Sequence, residues 1–274
     1  MRIDAHQHFW APARGDYGWM KASEALAPLR RDFLPADLAP HLQAANVDAT
    51  VLVQAAPSVF ETEYLLGCAD ATPWIAKVVG WIDFEKESER VHLERLARHR
   101  KFAGVRPMIQ DIPDPDWMHR PDVQWAFDAL VDLDLAFDAL GYPRHLDAFR
   151  RLFDRYPNMR TVIDHAMKPA IRAGGFDEWA MKIEAIASET PVFCKLSGLV
   201  TEAGSDWSEM DLKPYASHIL SAFGPDRVMW GSDWPVVTLA ASYETWLAAA
   251  ERLVGASGAA AVFGGTARSF YRIG

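Results

Sequence analysis

Eight short runs rich in β-branched and aromatic residues alternate along this chain with eight longer amphipathic stretches, and few folds accommodate that order. The runs cover residues 2–9, 49–57, 75–84, 102–109, 135–140, 160–166, 192–198 and 227–235. Helical patterns cover residues 36–46, 61–71, 87–100, 123–132, 144–156, 176–189, 212–223 and 242–254. Apolar runs are strands buried on both faces, the condition of a parallel sheet, and each parallel return needs a crossover helix. The order predicts an α/β protein: one (β/α)8 barrel of the TIM type over residues 1–274, its site at the C-terminal ends of the strands. Residues 256–274 read as a short helix and a closing tail. Two connections, residues 11–35 and 110–121, are long enough to shape a site and are rich in Trp, Tyr, Pro or Asp.

Composition narrows the partners. Half of the residues are hydrophobic, yet no stretch approaches the roughly 20 continuous apolar residues needed to cross a bilayer. A net charge of −9 disfavours nucleic acid or an anionic membrane as the main partner. The one basic cluster, Arg95, Arg98, His99, Arg100 and Lys101, reads as a helix C-terminus. Cys68 and Cys194 lie far apart without metal-type spacing, so neither a disulfide framework nor a thiolate zinc site is expected, and a reducing compartment fits. The first residues enter a strand pattern with no leader-like segment, so the expected location is the cytoplasm. Oligomeric state is not legible.

Chemistry concentrates where the strand patterns end. Polar residues inside apolar strands are expensive unless paired. The first strand carries Asp4, His6 and His8, which strict alternation would set on one face, with Ile3, Ala5 and Gln7 on the other. Two imidazoles two residues apart suit a metal ion or a polar pocket that holds a carbonyl or water; a solvent-facing strand end would tolerate them too. Later strands end in Gln54, Trp81 and Asp83, Arg106, Asp138, Asp164 and His165, Lys195 and Ser197, and Ser232 and Asp233. His165 follows the three β-branched residues Thr161, Val162 and Ile163, with Asp164 between, and reads as a barrel-mouth or a satisfied core histidine. Asp233, after Gly231-Ser232 and before Trp234-Pro235, reads as a carboxylate aimed inward by a fixed turn, or as an Asx turn or cap. Arg106 precedes Pro107, which keeps it extended over the mouth, to meet an oxyanion, a carboxylated substrate or a rim ion pair. Lys195 suits a Schiff base, a carbamate or an internal salt bridge; Asp138 suits a metal, sugar hydroxyls or Lys195.

The ordered set Ile3-Asp4-Ala5-His6-Gln7-His8-Phe9-Trp10, Gly104-Val105-Arg106, Asp114-Pro115-Asp116-Trp117, Asp164-His165, Cys194-Lys195-Leu196-Ser197-Gly198-Leu199 and Trp230-Gly231-Ser232-Asp233-Trp234-Pro235 spans nearly the whole chain. Phe263-Gly264-Gly265-Thr266-Ala267 extends it to the C-terminal end. It resembles the amidohydrolase superfamily and, within it, the sugar-lactonase group that contains L-fuconolactonase and L-rhamnono-γ-lactonase. The resemblance implies a distorted (β/α)8 barrel with Asp233 as general base, and either one divalent metal, zinc, on His6, His8 and Asp233, or none. Asp138 stands where a strand-five histidine is expected in the metal-rich pattern, which weighs against a binuclear centre. Thr266 stands where many relatives carry asparagine.

On this basis the expected reaction is hydrolysis of a sugar lactone, with Asp233 taking a proton from water and His165 and Arg106 stabilising the carbonyl oxygen. His6, His8, Gln54, Asp83 and Asp138 would meet substrate or water, with Trp10, Trp81, Trp117 and Trp234 as apolar walls. Rival readings are a pyrone dicarboxylate lactone hydrolase, which would demand several arginines, a barrel decarboxylase, which would demand firmly bound metal, and a sugar-binding barrel without catalysis.

Overall fold

The computed structural model describes all residues, 1–274. The chain runs β1 (Ile3–Gln7), α1 (Pro35–Ala45), β2 (Ala49–Val53), α2 (Val59–Ala71), β3 (Ile75–Gly80), α3 (Arg90–Ala97), β4 (Phe102–Val105), α4 (Gln124–Asp132) and β5 (Ala136–Ala139). It continues α5 (Leu146–Arg155), β6 (Thr161–Ile163), α6 (Asp177–Glu189), β7 (Phe193–Leu196), α7 (Leu199–Ala203), α8 (Glu209–Phe223), β8 (Val228–Trp230), α9 (Tyr243–Ala260) and α10 (Thr266–Tyr271). All eight strands are parallel and lie in sequence order from β1 to β8.

Local chemistry sets the helix starts. The Ser58 hydroxyl accepts from Glu61 N to open α2, Ser242 accepts from Thr245 N to open α9, and Asp211 accepts from Ser208 N to open α8. That last pairing starts α8 at Glu209, three residues before the apolar period begins at Leu212. The strands are shorter than the apolar runs. Residues 160–166 yield only Thr161–Ile163, and residues 227–235 only Val228–Trp230, because the chain beyond each leaves the ladder in tight turns.

Two apolar layers hold the barrel. Helices pack on the outside of the sheet through one large core, while Ile3, Val51, Val79, Ala136, Val162 and Met229 fill the interior. Phe270, Tyr271 and Ile273, from α10 and the residues after it, join that interior and close the barrel at the N-terminal end of the strands. Thr266 donates to Pro225 O at the start of α10, so this departure from the family pattern still pins the tail. The closing seam is thin. His8 N donates to Trp234 O at 2.7 Å and Asp233 N to His6 O at 2.8 Å, which joins β1 to the turn after β8. No helix is long and apolar enough to cross a membrane.

Candidate active site

The seam carries the chemistry. Asp4 pairs with Thr50 and Gln7 with Leu52, three residues against two, so β1 holds a bulge and strict alternation fails. Asp4 therefore parts company with the histidines, contrary to the alternation reading. It accepts from Ser232 N at 2.9 Å and from the Tyr243 hydroxyl at 3.1 Å, while His6 turns toward Lys195, Asp164 and Arg106 at the barrel axis. Gly231 makes room for this: a Cβ there would stand 2.6 Å from His6 Cβ.

His165 arrives by a different device. Residues 165–168 are four consecutive non-glycine residues in the left-handed region, with φ of 52°, 49°, 61° and 50°. Each such residue costs about 1–2 kcal/mol, a strain that persists where the surrounding structure over-determines it. The His165 Nδ1 pairs with Ser197 Oγ at 2.8 Å, and Gly198, at φ 69°, leaves space where a Cβ would meet Nδ1 at 2.8 Å. Asp233 is also left-handed, at φ 58°.

The four groups meet. Asp233 Oδ1 lies 3.3 Å from His8 Nε2, 3.8 Å from His6 Nε2 and 3.9 Å from His165 Nε2. His8 Nδ1 donates to Val53 O at 2.7 Å, so the neutral ring presents its Nε2 lone pair to His6 Nε2, 3.1 Å away. Lys195 Nζ donates to His6 Nδ1 at 3.1 Å, which leaves the His6 proton on Nε2. Lys195 is itself held by Asp138 at 2.5 Å and Asp164 at 2.9 Å, and the Tyr271 hydroxyl donates to Asp138. Arg106 reaches Asp164 at 3.3 Å and donates to Gln54 O.

Charge follows from burial and neighbours. Burial pushes His6 and His8 below the ordinary imidazole value, with Lys195 adding to the effect at His6, and it pushes His165 down to about 4. Burial alone would raise Asp233, but its neighbours His165, His8 and His6 outweigh it and hold the carboxyl below its usual range. Near neutrality the site thus combines an ionised carboxylate with uncharged imidazoles.

Above this cluster opens a cavity of about 360 Å³, within the span of small-molecule sites. His8, His165, Asp233, Arg106 and Trp10, all singled out in the sequence, line it. Other expected residues sit elsewhere. Trp81, Asp83 and Trp117 line a neighbouring cavity, because the strand-three end turns away beside the 108–112 turn. Trp234 packs between Phe9 and Phe33 outside the barrel, since the turn that aims Asp233 inward sends the next side chain outward. Gln54 is buried behind Arg106 and donates to its carbonyl; Asp138 lies beneath His6, engaged by Lys195. Sequence reasoning missed Trp19, Gln110, Asp111, Tyr142, Lys168 and Thr201, all from the β-to-α connections or, for Thr201, from α7, which line the cavity. The length of the first and fourth connections was a signal for Trp19, Gln110 and Asp111; Tyr142, Lys168 and Thr201 had none.

The amidohydrolase family profile matches residues 3–273. The chain belongs to the amidohydrolase family. It is 45% identical to an L-fucono-1,5-lactonase of Burkholderia ambifaria over 99% of this chain and 96% of that one. It is 36% identical to an L-fucono-1,5-lactonase of Burkholderia multivorans over 100% of this chain and 96% of that one. A solved amidohydrolase structure from Burkholderia multivorans with bound zinc superposes with a TM-score of 0.92, at 36% identity and with both chains covered in full.

In this amidohydrolase, donor atoms of His6, His165 and Asp233 all lie within 4.8 Å of one another, with His8 Nε2 beside them. That set of buried imidazoles and a carboxylate fits a single divalent ion if His6 takes its other tautomer, with Nε2 freed and the Nδ1 proton facing Asp164 at 3.5 Å. The charge pattern also fixes an acid limit for the amidohydrolase. Protonation of His165 would tie Asp233 into an ion pair, so initial rates should be level across neutrality and fall on acidification toward about 4. An acid limb near 6.5, the ordinary imidazole value, would refute the shielded histidine.

Proposed function

We propose that this amidohydrolase opens a sugar lactone to its aldonic acid, with Asp233 as general base. The observation that carries the reading is an ionised carboxylate among uncharged imidazoles on the floor of a cavity sized for a small molecule. A lactone is an internal ester, so its hydrolysis needs an activated water, a stabilised oxyanion and a proton for the departing ring oxygen. Asp233 accepts the proton as the water oxygen bonds to the carbonyl carbon. Arg106 and His165, which line the same cavity, donate to the oxyanion. The proton then passes from Asp233 to the ring oxygen as the ring C–O bond breaks.

His6, His8, His165 and Asp233 would hold a divalent ion, zinc included, and such an ion when bound would polarise the carbonyl or acidify a water. Arg106 already sets a guanidinium nitrogen 3.4 Å from His6 Nε2, and its charge competes with a dication for the same place. We therefore expect chelation to leave turnover within about twofold, as judged by initial rates beside the metal content of the same sample. Loss of activity that returns with zinc would overturn this expectation and reopen the decarboxylase reading.

The substrate proposed is a small neutral aldonolactone of the L-fucono-1,5-lactone kind, the compound named for the relatives. A dicarboxylated pyrone fits the lining less well. Arg106 and Lys168 are the cations of the cavity, and Asp111 and Asp233 oppose a second carboxylate. Acid release over a panel of 1,4- and 1,5-aldonolactones, corrected for spontaneous opening, tests the proposal. A protein that binds sugars but releases no acid from any of them would be the non-catalytic barrel.

A further inference from the structure

The cavity has two unlike walls. Trp19, Ala22 and Leu26 come from the loop after β1, and Val236 and Leu239 from the loop after β8. Gln110, Tyr142 and Lys168 come from the loops after β4, β5 and β6, and Thr201 from α7, which follows β7. Because the strands follow one another in order round the barrel, the β8 and β1 ends lie across from the β4 and β5 ends. The hydrocarbon wall thus faces the polar one over the floor that holds Asp233.

Lys168 dominates the polar wall. It ends the left-handed turn that begins at His165, so one strained segment delivers both residues to the cavity. The residue is half-buried, and its ammonium donates to Gln110 Oε1 at 2.6 Å. Glu202, Asp233, Asp111 and Arg106 act on it at longer range, and it forms no ion pair. An ammonium has three N–H groups; with one on Gln110 and the Tyr142 ring centroid 5.5 Å away, the others are free to meet water or a ligand in the cavity.

We propose that Lys168 is a specificity-determining residue, whose ammonium, steadied by Gln110, donates to ring hydroxyls of the lactone while the alkyl end of the sugar lies on the Trp19–Leu26–Leu239 wall. The proposal rests on the lactonase reading above. It separates recognition from chemistry: Lys168 acts on hydroxyls that the reacting ester does not contain, so its loss matters only for hydroxylated substrates.

The test compares L-fucono-1,5-lactone with δ-hexalactone, a six-membered lactone that keeps the methyl group and lacks the ring hydroxyls. Lys168→Met should lower kcat/KM for the fuconolactone about 30-fold, mainly through KM, the worth of a hydrogen bond to a charged donor. It should leave δ-hexalactone within about twofold. Lys168→Arg, which keeps the donors, should regain most of the loss. Equal losses on both lactones would overturn the proposal, since Lys168 would then serve the reaction centre or the turn itself. No loss on the fuconolactone would also overturn it. Should δ-hexalactone turn over too slowly to rate, failure of Lys168→Arg to recover fuconolactone KM would be decisive against it. A wild-type protein inert toward every lactone would instead remove the lactonase reading, and this proposal with it.

Discussion

Asp233→Asn should lower kcat by about three orders of magnitude, within the range a positioned base contributes, while KM changes little. Asparagine is close to isosteric and, like aspartate, tolerates the left-handed conformation that residue 233 adopts, so the turn should survive. What disappears is the ability to accept a proton, in a site whose surroundings hold the carboxyl ionised. Initial rates on the preferred lactone, beside a thermal melt to show an intact fold, check this. Turnover within tenfold of the parent would take the base role away from Asp233 and transfer it to an imidazole.

The second large effect is on stability. Lys195, Asp138 and Asp164 are fully buried, and Lys195 is the cation that both carboxylates share. Lys195→Met should cost about 3–5 kcal/mol, because it strands buried carboxylates rather than merely deleting a contact. In a chain of this size that corresponds to a Tm lower by about 10 °C. Asp164 retains Arg106, whereas Asp138 retains only the Tyr271 hydroxyl, and its second oxygen has no hydrogen-bond partner. Lys195→Met combined with Asp138→Asn should therefore recover more than half of the lost stability. Activity should not return, since His6 still lacks the donor at Nδ1 that keeps its proton on Nε2. Urea unfolding and kinetics on the two variants separate these effects. Equal stability of the single variant and the parent would mean that water already solvates the network.

The open alternatives at Lys195 and Asp138 were resolvable only by placing both residues in space. A lysine on one strand and an aspartate on another look equally suited to a Schiff base, a metal or a salt bridge until their separation is known. The same holds for Gln54 and Trp234: each lies beside a cavity-lining residue in sequence, yet each packs behind the lining. Adjacency along the chain says little about direction once a strand leaves its ladder.

What the sequence alone determined is the architecture and the identity of the groups that converge. Eight apolar runs separated by helical periods leave one economical closed arrangement, and in it every strand must end at the same rim. His6, His8, His165 and Asp233, read as strand-end residues, were therefore bound to approach one another. Tertiary structure decided the facing of Asp4, the exile of Trp81, Asp83 and Trp117 to a second cavity, and the arrival of Lys168 at the cavity wall. A bulge and a run of left-handed residues set those directions. Both are departures from the repeating geometry on which any reading of period relies, and they persist because packing and hydrogen bonds from distant segments hold them in place.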